Sequence, residues 1–323
     1  MTSTANADDI FRSPVAARLA RSERVLLAGA GGGFDVFAGV PLFLALRRAG
    51  KEVYFANLSF TRLSGTTAAR LGKGLWRVDH STSSEDPYFP EKYLSQWLNR
   101  DSLPSDVYCF EKMGVRPLRE AYALVVQALK VDTIILVDGG TDILMRGDEA
   151  GLGTPEEDMT SLAAVNKLRV PNKLVSCLGF GVDAFHGVCH AHFLENVAAL
   201  ERAGGYLGAH SIHLSMPEVE KFREVVEYAH AHMPQRESIV NGSIVSALEG
   251  HFGDFHRTGR TRGSKLFINP LMSMYWHFDL EAVASQSLYL ESLEGTESMF
   301  DVSAKVEAFQ NSVESRPRTT IPC

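Results

Sequence analysis

Three times along this 323-residue chain an apolar run ends in glycine and then an aspartate. Arg24 to Ala30 (RVLLAGA) runs into Gly31-Gly32-Gly33-Phe34-Asp35. Thr133 to Val137 (TIILV) runs into Asp138-Gly139-Gly140-Thr141-Asp142, and Lys173 to Leu178 (KLVSCL) into Gly179-Phe180-Gly181-Val182-Asp183. Short runs that are apolar throughout read as strands buried on both faces, the pattern of parallel sheets. Amphipathic helical stretches lie among them: Val36 to Ala49, Pro117 to Lys130, Glu156 to Leu168 and about Gly187 to Ala203. Further strands are expected at Val53–Leu58, Asp106–Phe110, Leu207–Leu214 and Lys265–Ile268. Further helices are expected within Tyr88–Asn99, up to His232, over Ser238–Leu248 and after Leu280.

This alternation predicts an α/β fold, Rossmann-like, with a mostly parallel sheet and helices on both faces. One α/β domain is expected over residues 21–312, with residues 1–20 a flexible N-terminus and 313–323 a C-terminal tail. An apolar content of 45% with 22% charged residues excludes general disorder. The apolar runs are too short to cross a bilayer and no signal peptide opens the chain, so a cytoplasmic protein without membrane contact is expected. A net charge of −7 argues against a broadly basic nucleic-acid-binding surface. Cys109, Cys177, Cys189 and Cys323 are scattered without a C-x-x-C pair and read as reduced thiols.

Any one Gly–Asp strand end reads as a tight turn and a helix cap. Three on one sheet edge point to a converging ligand site, because open parallel sheets bind ligands at the carboxyl ends of their strands. Gly31, Gly32, Gly33, Gly139 and Gly140 are expected to let a ligand approach the backbone and to offer N–H donors. Asp35, Asp138 and Asp142 would bind a hydroxyl or hold a divalent cation (Mg²⁺ or Ca²⁺), with Asp138 or Asp142 as a general base. Asp183 and His186 would complete the site, with His190 at the substrate. The acids Glu156, Glu157 and Asp158 read as a helix's first turn, favoured by its dipole. On a straight helix from Gly187, His190 falls on the apolar face and His192 opposite it. Arg257, Arg260 and Arg262, in a glycine-rich loop, would neutralise an anionic substrate.

The first strand end departs from the dinucleotide fingerprint G-x-G-x-x-G. Gly29 and Gly31 fit, but Phe34 stands at the third glycine, and Val53 to Arg62 contains no acid for a ribose hydroxyl. Arg62 alone would suit a 2′-phosphate. No G-x-x-x-x-G-K-[ST] loop and no G-x-S-x-G nucleophile elbow is present.

The motifs AGAGGGFDV, VDGGTD followed by GDE, and GFGVD together resemble a family of bacterial and archaeal α/β proteins, domain of unknown function 1152, across roughly residues 20–310. The resemblance implies a Rossmann-like fold and carries no reaction. The D-G-G-x-D acids are also similar to the aspartate-rich ribose and metal site of nucleoside hydrolases, although that family's N-terminal acid cluster is missing here. The expectation is a hydrolase or group transferase for a small anionic or ribosyl-containing metabolite. An NADP-dependent oxidoreductase, a metabolite-binding module without turnover and a partner-binding protein are the alternatives, and a homo-oligomer is left open.

Overall fold

The computed structural model describes residues 13–321. Nine strands form one sheet: β1 (Arg24–Gly29), β2 (Glu52–Leu58), β3 (Ala69–Gly72), β4 (Leu75–Val78), β5 (Val107–Phe110), β6 (Thr133–Asp138), β7 (Asn172–Leu178), β8 (Tyr206–Ser211) and β9 (Met274–Asp279). Their spatial order is β3-β4-β5-β2-β1-β6-β7-β9-β8. The five central strands, β5, β2, β1, β6 and β7, are parallel. Antiparallel strands close both edges: the β3–β4 hairpin beside β5, and β9 with β8 beside β7. The expected mostly parallel sheet therefore describes the core but not the rims.

Alternation along the strands builds a core on each face. Leu26, Ala28, Ile134 and Leu136 pack against helices Val115–Leu129, Pro155–Asn166, His190–Arg202 and Met299–Gln310. Val25, Leu27, Ile135 and Val137 face the other way, against helices Val40–Arg48, Pro90–Arg100, Pro217–His232 and Ile239–Leu248. No helix among the described residues is long and apolar enough to cross a membrane.

Two expected elements differ. Val36 to Ala49 is broken at Gly39 into helices Asp35–Ala38 and Val40–Arg48, the second carrying Pro41 in its first turn. Lys265–Ile268 is not a strand. Ile268 makes one isolated bridge to Gly253, and the late strand is β9.

Of the expected flexible N-terminus, residues 1–12 lie outside the described residues. Pro14–Ala20 is helical, capped by Ser13, and Arg18 pairs with Asp279 at 2.6 Å. The expected tail is tied down at least through Thr319. Arg316 pairs with Asp148 at 3.1 Å, Glu149 at 3.3 Å and Glu195 at 2.6 Å. Pro317 O lies 3.1 Å from His192 Nε2, and Thr319 O accepts from Cys189 Sγ at 3.1 Å. This cover buries His192, although helix periodicity puts it opposite the apolar face. Cys109, Cys177 and Cys189 are free thiols; Cys323 lies outside the described residues.

Candidate functional site

The strand order reverses at β1 and β6. β2 and β5 extend the sheet to one side of β1, β6 and β7 to the other. Loops leaving neighbouring strands in opposite directions open a crevice there. It holds a cavity of about 420 Å³ whose walls include Gly31, Asp35, Asp138, Asp142, Asp158 and Asp183. The three Gly–Asp strand ends thus do meet, and a fourth element joins them.

Each acid is held by local chain geometry. Gly31 donates its N–H to Asp35 Oδ2 at 2.7 Å, so the glycine loop and Asp35 fold onto each other. Asp138 is the last residue of β6, buried, with Ile143 N–H directed at its Oδ2 at 3.3 Å. Asp142 Oδ2 accepts from Thr154 N at 2.8 Å and lies 3.2 Å from Thr154 Oγ1. Asp183 Oδ2 accepts from Thr141 N at 2.6 Å. Asp158 comes from helix Pro155–Asn166, which is fastened over the end of β1 by Ser161 Oγ donating to Ala30 O at 2.7 Å. One helical turn separates Asp158 from Ser161, so that bond also aims Asp158 inward. Its Oδ1 is buried with no hydrogen-bond partner.

Carboxylates removed from water and facing one another favour their neutral forms. Burial, then the charge of Asp142, pushes Asp35 up to about 8. Asp35 keeps part of its surface in the cavity, with protein around the rest of it. Burial and neighbouring acids also hold Asp138, Asp158 and Asp183 well above the usual carboxylate range. Asp142 is raised by burial, and its Thr154 bonds oppose the shift. The glycines keep these acids close. A Cβ on Gly31 would stand 2.8 Å from Asp35 Oδ2 and 2.9 Å from Asp158 Oδ2. One on Gly139 would stand 2.9 Å from Asp35 Oδ1, and one on Gly140 2.7 Å from Asp183 Oδ2.

The rim is different in kind. Phe60, Tyr88 and Phe185 line it with Lys112, Arg260 and His186. Lys112 Nζ sits 4.0 Å from the Phe60 ring centroid and 2.6 Å from Glu157 Oε1. Arg260 donates to Glu237 O at 2.6 Å.

Several expected site residues stand elsewhere. Gly33 turns away from the cavity toward β2: its N–H donates to Leu58 O at 3.0 Å and its carbonyl accepts from Asn57 Nδ2 at 2.7 Å. With Gly31 N–H on Asp35, two of the three loop donors are used internally, leaving Gly32 as the loop's other cavity residue. Arg257 is held by Glu249 and Glu227, and Arg262 is exposed off the cavity; Arg260 alone of the three reaches it. His190 does not join His186. Gly187, in the left-handed region at φ 94°, ends the turn bearing His186, and a new helix starts at His190. His190 faces Phe180 and a separate recess beside Thr319. Arg62 is exposed and does not line the cavity, while the end of β2 carries buried Asn57, bonded to Gly33 O and Glu91. Arg62, on which the NADP alternative rested, therefore lies outside this cavity.

For a metal, Asp35, Asp138 and Asp158 each offer an oxygen within 4.8 Å of the others, and Asp142 stands outside this trio. Asp158 replaces Asp142 because Thr154 holds Asp142 back. No stripe marked it in the sequence: every residue from Asp158 to Val165 is buried, so this helix is covered on all sides. Lys112, Phe60, Tyr88 and Phe185 carried no pattern either.

The fold and cavity define a class: an α/β protein with an acid-floored crevice at the carboxyl ends of a central parallel sheet. The chain belongs to the family described as Protein of unknown function (DUF1152), which matches residues 26–315. No curated protein and no solved structure matches it significantly.

Proposed function

We propose that this protein is a hydrolase or group transferase acting on a small anionic or ribosyl-containing metabolite, in a Rossmann-like frame. The frame is supported by the parallel strands, whose spatial order is third, second, first, fourth, fifth in chain sequence, as in dinucleotide-binding folds. The observation that carries the reading is the cavity itself: five aspartates on its floor, with cationic and aromatic groups at its mouth. Asp35, pushed up to about 8, is poised to exchange a proton with a bound ligand. Asp35 and Asp138 engage the hydroxyls. Asp142, with His186 near it at the rim, moves the proton between water and the departing group. Lys112 and Arg260 receive the anionic part, and Phe60 and Phe185 cover the apolar part. No Ser or Cys nucleophile is required.

The test is a panel of ribonucleosides, nucleotides and sugar phosphates, screened for binding by thermal shift and for turnover by mass spectrometry. The expected result is turnover of at least one bound compound, lost in Asp142→Asn at unchanged folding. Binding of a compound that is never consumed would overturn the enzyme reading in favour of a metabolite-binding module.

A further inference from the structure

We infer that Asp35, Asp138 and Asp158 form a site for one hard divalent cation, Mg²⁺ or Mn²⁺, with its remaining coordination positions open to the cavity. The inference goes beyond the proposed reaction class and does not depend on it, because a binding module would use the same ion.

Three observations converge. Oxygens of the three side chains lie within 4.8 Å of one another. Around an octahedral Mg²⁺ at about 2.1 Å, ligand oxygens stand roughly 3 to 4.2 Å apart, so at most a small closure is needed. Second, Asp158 is 2% exposed, lines the cavity, and its Oδ1 has no hydrogen-bond partner. A buried carboxylate oxygen without a donor is costly, and a cation is the partner that satisfies it together with its neighbours. Third, Gly31 leaves open the space in which a Cβ would crowd Asp35 Oδ2 and Asp158 Oδ2. Neither Lys112 nor Arg260 of the cavity wall supplies the missing charge: Lys112 is held by Glu157 and the Phe60 ring, and Arg260 donates to Glu237 O.

The donor set selects the ion. All three ligands are carboxylates, which suits hard cations; no His or Cys belongs to the trio, as Zn²⁺ sites ordinarily require. Three protein ligands and water suit Mg²⁺ or Mn²⁺, which keep several waters, better than Ca²⁺, which gathers six to eight oxygens. The open positions face the ligand space, where substrate hydroxyl or phosphate oxygens replace water.

The experiment titrates the chelator-treated full chain with Mn²⁺ alone, read by electron paramagnetic resonance, with Mg²⁺ as competitor. One Mn²⁺ per chain is expected, displaced by Mg²⁺ and without nitrogen coupling in the electron spin echo. Asp158→Asn and Asp35→Asn each weaken Mn²⁺ at least about 100-fold. Glu157→Gln, on the cavity wall but outside the trio, changes it less than about threefold. The metal-free melting temperature of each variant shows that it is folded. No Mn²⁺ bound by wild type at about 1 mM, affinity unchanged in folded Asp158→Asn, or an equal loss in Glu157→Gln would overturn the site.

Discussion

Glu91 lies beneath the glycine loop and provides a stability test with a definite sign. It is fully buried in the first turn of helix Pro90–Arg100. Its Oε1 accepts from Asn57 Nδ2 at 2.8 Å, and the same amide donates to Gly33 O. Its Oε2 has no hydrogen-bond partner. Burial pushes Glu91 from 4.5 up to about 7, against the bond from Asn57. A carboxyl whose pKa is raised by folding contributes stability below its unfolded pKa and loses it as pH climbs through the folded one. With those two values the loss between pH 5 and pH 8 comes to roughly 2.5 kcal/mol. Glu91→Gln keeps the Oε1 acceptor and removes the titration. Its new amide hydrogens cost about 1–3 kcal/mol if left without acceptors, and that penalty does not vary with pH. The measurement is urea unfolding of wild type and Glu91→Gln at several pH values across this range. His230 and His277, which burial holds at about 4 and about 3, lose stability as pH falls and act alike in both proteins. The difference between the two curves therefore isolates Glu91. Wild type should lose roughly 2.5 kcal/mol more than the variant on going from pH 5 to pH 8. Parallel curves would refute the reasoning, because they would mean that Glu91 ionises in the fold as easily as in the unfolded chain.

Gly31→Ala fits its backbone conformation but places a methyl within 3 Å of Asp35 and Asp158 carboxylate oxygens. It should weaken Mn²⁺ more than about tenfold while the fold melts within a few degrees of wild type, read by titration and calorimetry. Arg316→Ala removes the ion-pair partner of Glu149, whose side chain is fully buried. Bonds to Glu149 from Arg146 N, Gly147 N and Asn196 Nδ2 remain, so a loss of about 1–2 kcal/mol and a melting temperature lower by roughly 2–4 °C are expected. Once a substrate is in hand, His186→Ala should lower kcat roughly 10²-fold, as loss of a proton-transfer group does. His190→Ala, outside the cavity, should leave kcat within about twofold.

The positions of the five parallel strands and the three Gly–Asp ends were legible because they are local. A strand buried on both faces must be apolar along its whole length, and its end is marked where polar residues and glycine resume. Asp35, Asp138, Asp142 and Asp183 were found that way, and they do share one cavity. Residues that reach the cavity from elsewhere were not. Lys112 and Phe60 leave from the ends of β5 and β2, and their meeting depends on the strand order. The rim at β9 was missed for the same reason, since β9 pairs with strands far from it in sequence, whereas the local β3–β4 hairpin was missed because its four-residue strands are too short to show a period. His192 is buried because residues from the far end of the chain cover a helix face that periodicity alone reads as solvent, while His190 stays half-buried against Phe180.

The sequence by itself determined a sheet of buried strands and the carboxylates at their ends, through periodicity and backbone permission, which depend only on neighbours along the chain. Tertiary structure alone decided which three acids converge, one of them from a helix and not a strand end. Asp142 is drawn aside by Thr154, twelve residues on, while Asp158 is driven inward because Ser161 fastens its helix to the end of β1. Like charges come this close only when packing from several elements forces them together, and no stretch of sequence contains that force.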